Sequence, residues 1–260
     1  MRVTLLGSGG SGGVPLADGS PGGHWGAADP AEPKNRRRRV SVLVEEGDRR
    51  LLIDCSPDLR EQVNDAGLGH LDAVLFTHAH ADHCHGLDDL RALSYRRGKP
   101  IPAYMDAATR KTLTLRFDYA FTSSHTLNRL YPALMEDHTL PIGEPFEAAG
   151  FRVLAFEQDH GNFTSLGFRI GAFAYSTDVV SLDERAWACL EGLDLWIVDC
   201  LRYEPHPTHS HFAQTLEWIA RAKPKHAVLT HMNQSVDYAT IRADCPPGVE
   251  PGWDGLSFEL

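Results

Sequence analysis

The chain is poor in cysteine, in long apolar runs and in positive charge, and each shortage excludes something. Its five cysteines (Cys55, Cys84, Cys189, Cys200 and Cys245) are an odd number, and no two form a CxxC pair. That argues against a disulfide framework and predicts a reducing compartment. No stretch is long enough to span a bilayer, and the opening MRVTLLGSGGSGG holds too short an apolar run for a signal peptide. The expectation is a soluble, cytoplasmic protein. Lys and Arg total 25 against 35 Asp and Glu, a net charge of −10, so a face that grips a nucleic-acid polymer is not expected. A small anionic ligand stays open, because a local metal site outweighs distant carboxylates. Low-complexity segments and short-period repeats are missing as well. What remains is an ordinary globular composition, 42% hydrophobic and 23% charged over 260 residues, read as a single domain over 1–260.

Strand-like segments come in two groups. The first holds VTLLG at 3–7, the hairpin VSVLVEE–GD–RRLLIDC at 40–55, Ala73 to Phe76, and PIPAYM at 100–105. The second holds FRVLAFEQDH (151–160), LGFRIG (166–171), AFAYSTD (172–178), LDLWIVDC (193–200) and HAVLTH (226–231). Helices are expected from Pro57 with Ser56 as N-cap, over 85–98 closed by Gly98, through much of 107–135, near 182–191 and near 211–222. Two sheets packed together with helices outside, a four-layer αββα sandwich of the α/β class, accommodate that order. The stretch 15–39, with four prolines, four glycines and Arg36 to Arg39, is a long irregular loop.

Residues 77–83 read THAHADH, which puts His78, His80, Asp82 and His83 within six positions directly after an apolar strand. Asp54, His160, Asp178 and His231 each follow an apolar strand in the same way. Side chains at strand ends can converge on one sheet edge. Imidazole nitrogens and carboxylate oxygens suit Zn, Mn or Fe, and two adjacent ions need about seven such ligands with an edge open to water. His78 and His80 can chelate one ion from a turn, Asp82 and His83 can face a second, and a lone later aspartate can bridge both. Isolated histidines such as His70 and His226 read as structural, and so do Cys84 and His85.

HxHxDH followed by His160, Asp178 and His231 resembles the metallo-β-lactamase-fold superfamily over nearly the whole chain. The resemblance implies His78, His80 and His160 on a first metal and Asp82, His83 and His231 on a second. Asp178 would bridge them, with Asp54 behind the cluster. More narrowly, TLLGSGGSGGVP, HGLDDLRAL, RYEPHPTHSHF at 202–212 and PPGVEPGWDG at 246–255 are similar to cyclic-phosphate phosphodiesterases of the carbon–phosphorus lyase operon type. That similarity implies a dinuclear Zn or Mn enzyme (Fe is a third choice) cleaving a small cyclic ribosyl or nucleotide phosphodiester. A hydroxide held between the metals would attack, with Asp82 in the catalytic set. His211 would protonate the leaving group, with His209 as second choice. Family members commonly hold a structural zinc on an early CxCxxC loop. Here that loop, DGSPGGHWGAADP, has no cysteine, so no zinc is expected at 18–30 and the loop must be fixed by packing or be mobile. Diiron reductases carry a glutamate where this chain has His80, and tRNA-processing relatives carry an arm with no counterpart here.

Asn162, Thr164 and Ser165 are expected near a ribose or phosphate oxygen. Arg36 to Arg39 read mainly as a solvated loop edge, with substrate contact as the lesser option. The GSGGSGG turn lacks the GK[ST] of a P-loop and reads as close packing beside the metals. A homodimer is the expected assembly. The competing enzyme reading is a thioester, ester or lactone hydrolase, and the competing non-enzyme reading is a carrier that holds a ligand without turnover.

Overall fold

A computed structural model describes residues 1–122 and 132–260. Six strands open the first sheet: β1 (Arg2–Gly7), β2 (Ser41–Glu46), β3 (Arg49–Ile53), β4 (Ala73–Leu75), β5 (Ile101–Met105) and β6 (Met135–Thr139). The second sheet holds β7 (Pro145–Ala148), β8 (Phe151–His160), β9 (Phe163–Ile170), β10 (Phe173–Ser176), β11 (Leu195–Asp199), β12 (His226–Thr230) and β13 (Val249–Pro251). The chain then returns to the first sheet as β14 (Ser257–Glu259), paired with β1. Strand orders are β14-β1-β2-β3-β4-β5-β6 and β13-β12-β11-β10-β9-β8-β7. Each sheet is antiparallel in one part and parallel in the other, with β3 to β6 parallel in the first and β10 to β13 parallel in the second.

Alternation along the strands builds the layers, since successive side chains point to opposite faces. On β4, Ala73 and Leu75 face the other sheet while Val74 faces outward; on β11, Leu195 and Ile197 face inward while Trp196 and Val198 face out. Both strands are buried on both faces, which is why their sequences are nearly unbroken apolar runs. The inter-sheet layer includes Ile53, Leu75, Phe168, Tyr175 and Val228. Truncating one of these, as in Leu75→Ala, costs about 2–5 kcal/mol.

The outer face of the first sheet is covered by α1 (Leu59–Asp65), α2 (Ala81–Cys84), α3 (Arg91–Arg97), α4 (Ala107–Arg116) and α5 (Asp118–Phe121), through residues such as Leu59, Leu93, Leu113 and Ala120. The outer face of the second is covered by α6 (Glu184–Cys189), α7 (Phe212–Ala222) and α8 (Tyr238–Asp244), through Ala186, Ile219 and Ile241. The result is the four-layer αββα sandwich. No helix among the described residues is long and apolar enough to cross a membrane.

Three local expectations change. The helix predicted over 85–98 resolves into a 3₁₀ turn at Leu87–Leu90 and α3, with α2 ending before it at Cys84. Gly86 packs so tightly that a Cβ there would lie 1.8 Å from the Ser56 carbonyl oxygen. Gly98 does close α3, at φ 72°. The helix predicted from Pro57 starts at Leu59, because Ser56 is buried and its hydroxyl donates to Gln62 Oε1 at 2.9 Å. Of the helical stretch expected over 107–135, residues 123–131 lie outside the described residues, and Met135 already belongs to β6.

The arginine run is only in part a solvated edge: Arg36 is exposed, Arg38 and Arg39 are half-buried in ion pairs, and Arg37 is buried. Arg37 is buried and donates to Val236 O (2.8 Å) and Asn35 Oδ1 (2.9 Å). Arg38 pairs with Asp65 at 2.6 Å, Arg39 forks onto Asp58, and Arg36 lies over the Trp25 ring. The Arg37 bonds, with Ala27 N donating to Gln234 O and Asn35 Nδ2 donating to Asp237, hold the loop against the second half of the chain, while Arg38 and Arg39 tie it to Asp65 and Asp58 in the first.

Candidate metal centre

The parallel parts of both sheets end at one edge, and the site is built there. In the first sheet Asp54 follows β3 with φ 63°, a left-handed conformation that non-glycine residues seldom adopt. Its Oδ1 accepts from Thr77 N at 2.8 Å, and its Oδ2 accepts from Thr77 Oγ1 at 2.8 Å and His83 Nδ1 at 2.7 Å. These bonds pin the loop after β4 and set the His83 tautomer, turning its Nε2 inward. The Thr77 hydroxyl also meets His78 Nδ1 at 3.0 Å and orients that ring in turn.

In the second sheet the register pairs Ser176 with Val198 and Asp199 with Thr230. Asp178, Asp199 and His231 therefore reach the edge at one level. Asp178 (φ 54°) and His231 (φ 62°) share the left-handed conformation of Asp54. Strain of about 1–3 kcal/mol per residue tends to concentrate where a side chain must be aimed. His160, at the end of β8, donates Nδ1–H to Thr208 O at 2.7 Å, and its Nε2 points at Asp178.

Two donor clusters result. His78, His80, His160 and Asp178 form one, and Asp82, His83, Asp178 and His231 form the other; within each, the donor atoms lie within 4.8 Å of one another. Asp178 divides its oxygens between them. Oδ2 lies 3.4 Å from His160 Nε2 and 3.7 Å from His78 Nε2, while Oδ1 lies 3.1 Å from His83 Nε2 and 3.3 Å from His231 Nε2. Asp82 Oδ2 completes the second cluster, 3.3 Å from His83 and 3.4 Å from His231.

The clusters fit divalent cations. His78 Nε2 and His83 Nε2 are buried without a hydrogen-bond partner, a cost of about 1–3 kcal/mol each unless something else meets them. Burial pushes the His78 imidazole well below the ordinary histidine range. Against the effect of burial, Asp178, Asp82 and Asp54 hold His83 well above that range. A divalent cation at this point would take the place of that proton.

Two further residues stand against the clusters, and reading the sequence gave neither its due place. Asp199, the last residue of β11, accepts at Oδ2 from Val179 N (3.1 Å) and from His209 Nδ1 (3.0 Å). The His209 ring stacks on His231 at 4.8 Å, and its Nε2 lies 3.9 Å from Asp178 Oδ2. Burial would lower this imidazole, yet Asp199 pushes it up to about 9. Asp199 was legible in principle, because LWIVD ends a strand in an aspartate much as RRLLID does.

His211 is brought into neither donor cluster. Its backbone carbonyl accepts from Thr215 N and it caps α7, while its side chain has no hydrogen bond or ion pair among the described residues. The turn is set by Ser210, whose buried hydroxyl donates to Asp199 O at 2.6 Å. That bond leaves His209 on the site side and His211 at the helix start.

The expectation for Ser165 is corrected. It is fully buried, and its hydroxyl donates to the Asp178 carbonyl at 2.8 Å, so it positions the shared aspartate and meets no substrate. Thr164 lines a cavity of about 410 Å³ beside His78 and His80. Asn162 lies in the β8–β9 turn and lines a separate hollow with Asp159 and Asp183. The glycine turn after β1 packs as read: a Cβ on Gly10 would lie 3.4 Å from the His231 ring.

Fold and site together define a protein of the metallo-β-lactamase type, with donor clusters that fit divalent cations. Residues 49–232 match the β-lactamase superfamily domain. Among solved structures, a diphosphatase from the PhnP family is 34% identical with a TM-score of 0.89, over 100% of this chain and 97% of that one. The chain belongs to the β-lactamase superfamily and, within it, to the PhnP family, in keeping with the resemblance drawn from its motifs. An octanoyltransferase of Porphyromonas gingivalis is 33% identical over 98% of this chain and 51% of its own length. A ribonuclease Z of Bradyrhizobium diazoefficiens is 28% identical over 52% of this chain and 45% of its own. The chain thus spans about half the length of these curated relatives.

Proposed function

We propose that the chain is a dinuclear phosphodiesterase acting on a small phosphodiester, such as a cyclic ribosyl or nucleotide phosphate. The observation that carries the reading is the division of Asp178, one oxygen toward each donor cluster. His78, His80 and His160 would hold one ion, Asp82, His83 and His231 the other, and Asp178 both. Bound there, two divalent ions (Zn or Mn, with Fe a third choice) supply an activated water and offset charge on the phosphoryl oxygens.

The protein's own groups do the rest. Asp54 keeps His83 Nε2 aimed inward, and Ser165 holds the Asp178 backbone. His209, in place of His211, donates a proton to the departing oxygen, and Asp199 holds its ring in the tautomer that presents Nε2 to the site. The five free cysteines suit a reducing cytoplasm. The exposed Tyr95, Leu115 and Tyr119 suit a homodimer contact. One hydrolase domain over 1–260 completes the reading.

The test reconstitutes the protein with Mn or Zn and assays bis(p-nitrophenyl) phosphate, a 1,2-cyclic phosphoribose and a diphosphate diester. Turnover that is lost in Asp178→Ala on all three, and lost in His209→Ala on the cyclic phosphoribose with metal content intact, supports the mechanism. Two bound ions with no turnover of any of the three would overturn it, and thioesters and lactones would be assayed next.

A further inference from the structure

The cavity beside His78 and His80 carries two residues that the hydrolytic machinery does not use. Phe163, at the tip of the β8–β9 hairpin, is 60% exposed, although its ring sits edge-on to His80 at a centroid distance of 5.0 Å. The ring lines the cavity that also holds His78 and His80 of the first donor cluster. In the same cavity, Arg116 on α4 donates Nη1 to the Ala79 carbonyl at 2.7 Å, which fastens it to the peptide between His78 and His80. Arg116 has no carboxylate partner among the described residues, and among them it is the one Lys or Arg lining the cavity, which Asp106 and Glu157 also line. Most of its planar fork of N–H donors is therefore left for an incoming anion. Thr164 and Glu157 line the same cavity and offer acceptors suited to sugar hydroxyls.

We propose that Phe163 and Arg116 form a ring-and-anion subsite that selects a nucleotide carrying a second phosphate. The base lies on Phe163, and the phosphate remote from the scissile bond is held by Arg116. The proposal rests on the phosphodiesterase reading and narrows its substrate to the class of nucleoside diphosphate derivatives. A ribosyl monophosphate offers no base to Phe163 and no second phosphate to Arg116.

The experiment measures binding by calorimetry to the metal-loaded protein, with ADP, ribose 5-phosphate and inorganic phosphate as probes. The expected result is ADP binding at least about tenfold tighter than ribose 5-phosphate, as one stacked base or one charge-assisted contact supplies. Phe163→Ala and Arg116→Met should each remove about tenfold or more of that preference, while phosphate affinity and metal content hold. Phe163→Trp and Arg116→Lys should restore part of it. Equal affinity for ADP and ribose 5-phosphate, or variants that lose phosphate and ADP affinity alike, would overturn the subsite. Bis(p-nitrophenyl) phosphate turnover by the wild type is followed on the same sample. Failure there with ADP selectivity intact would count against the phosphodiesterase reading and leave the subsite standing.

Discussion

Asp54 and Asp199 occupy matching places, at the ends of β3 and β11 in opposite sheets, and each binds the Nδ1 of a buried histidine. They differ in how completely they are engaged. Both Asp54 oxygens are taken, by Thr77 and His83, so this carboxylate is tied into the loop that carries HxHxDH. Asp199 uses Oδ2 for Val179 and His209, while Oδ1 has no hydrogen-bond partner and faces His231 Nδ1 at 3.9 Å. The contrast separates two tasks. A carboxylate saturated by its own loop builds a rigid set of donors, whereas one that holds a histidine outside the two Asp178 clusters would, under the proposed function, orient the proton donor.

The variant that removes what both halves share comes first. Asp178→Asn is expected to lower kcat/KM by about 10³-fold or more, since it weakens both donor clusters at once; metal content by mass spectrometry and turnover read it. Chelation is next. Stripping the ions should lower the melting temperature, because metal present at about 1,000 times its Kd contributes about 4 kcal/mol. An unchanged melting temperature would mean that the clusters are not filled in the folded protein.

The two carboxylates should then part company. Asp54→Ala is expected to weaken metal binding by about 10–100-fold. Asp199→Asn should keep its metals and lose kcat instead. If both variants shed metal equally, the division of tasks drawn above is wrong. His209→Ala should lose about 10²–10⁴ in kcat on an alkyl leaving group and much less on p-nitrophenolate, which departs without a proton. His211→Ala closes the series, with stability expected to change by less than about 0.5 kcal/mol and activity by less than about twofold. A large loss there would return the proton-donor role to His211.

The same two regions show how much could be read in advance. Four of the donors lie within six consecutive residues on one loop, so their spacing is visible in the chain itself. His160, Asp178 and His231 could be found because each ends an apolar strand, and the αββα layering could be found from strand alternation. Asp199 ends a strand too, but its partner sits on a loop where neighbouring positions look alike on paper. The choice between His209 and His211 hangs on the Ser210 bond to the Asp199 carbonyl. Arg37 was similarly opaque: a run of four arginines gives no hint that one is buried against carbonyls nearly 200 residues away.

By itself, then, the sequence determined the periodicities that make two sheets, the donor types, and the contiguous half of the site, because these depend on neighbours along the chain. Tertiary structure alone decided which histidine faces the clusters and that Asp178 turns one oxygen to each of them. It also decided that Ser165 and Arg37 serve the scaffold, and that Phe163 and Arg116 line one cavity. Each of these depends on hydrogen bonds and packing between residues far apart in sequence, and such contacts exist only once the two sheets have closed on one another.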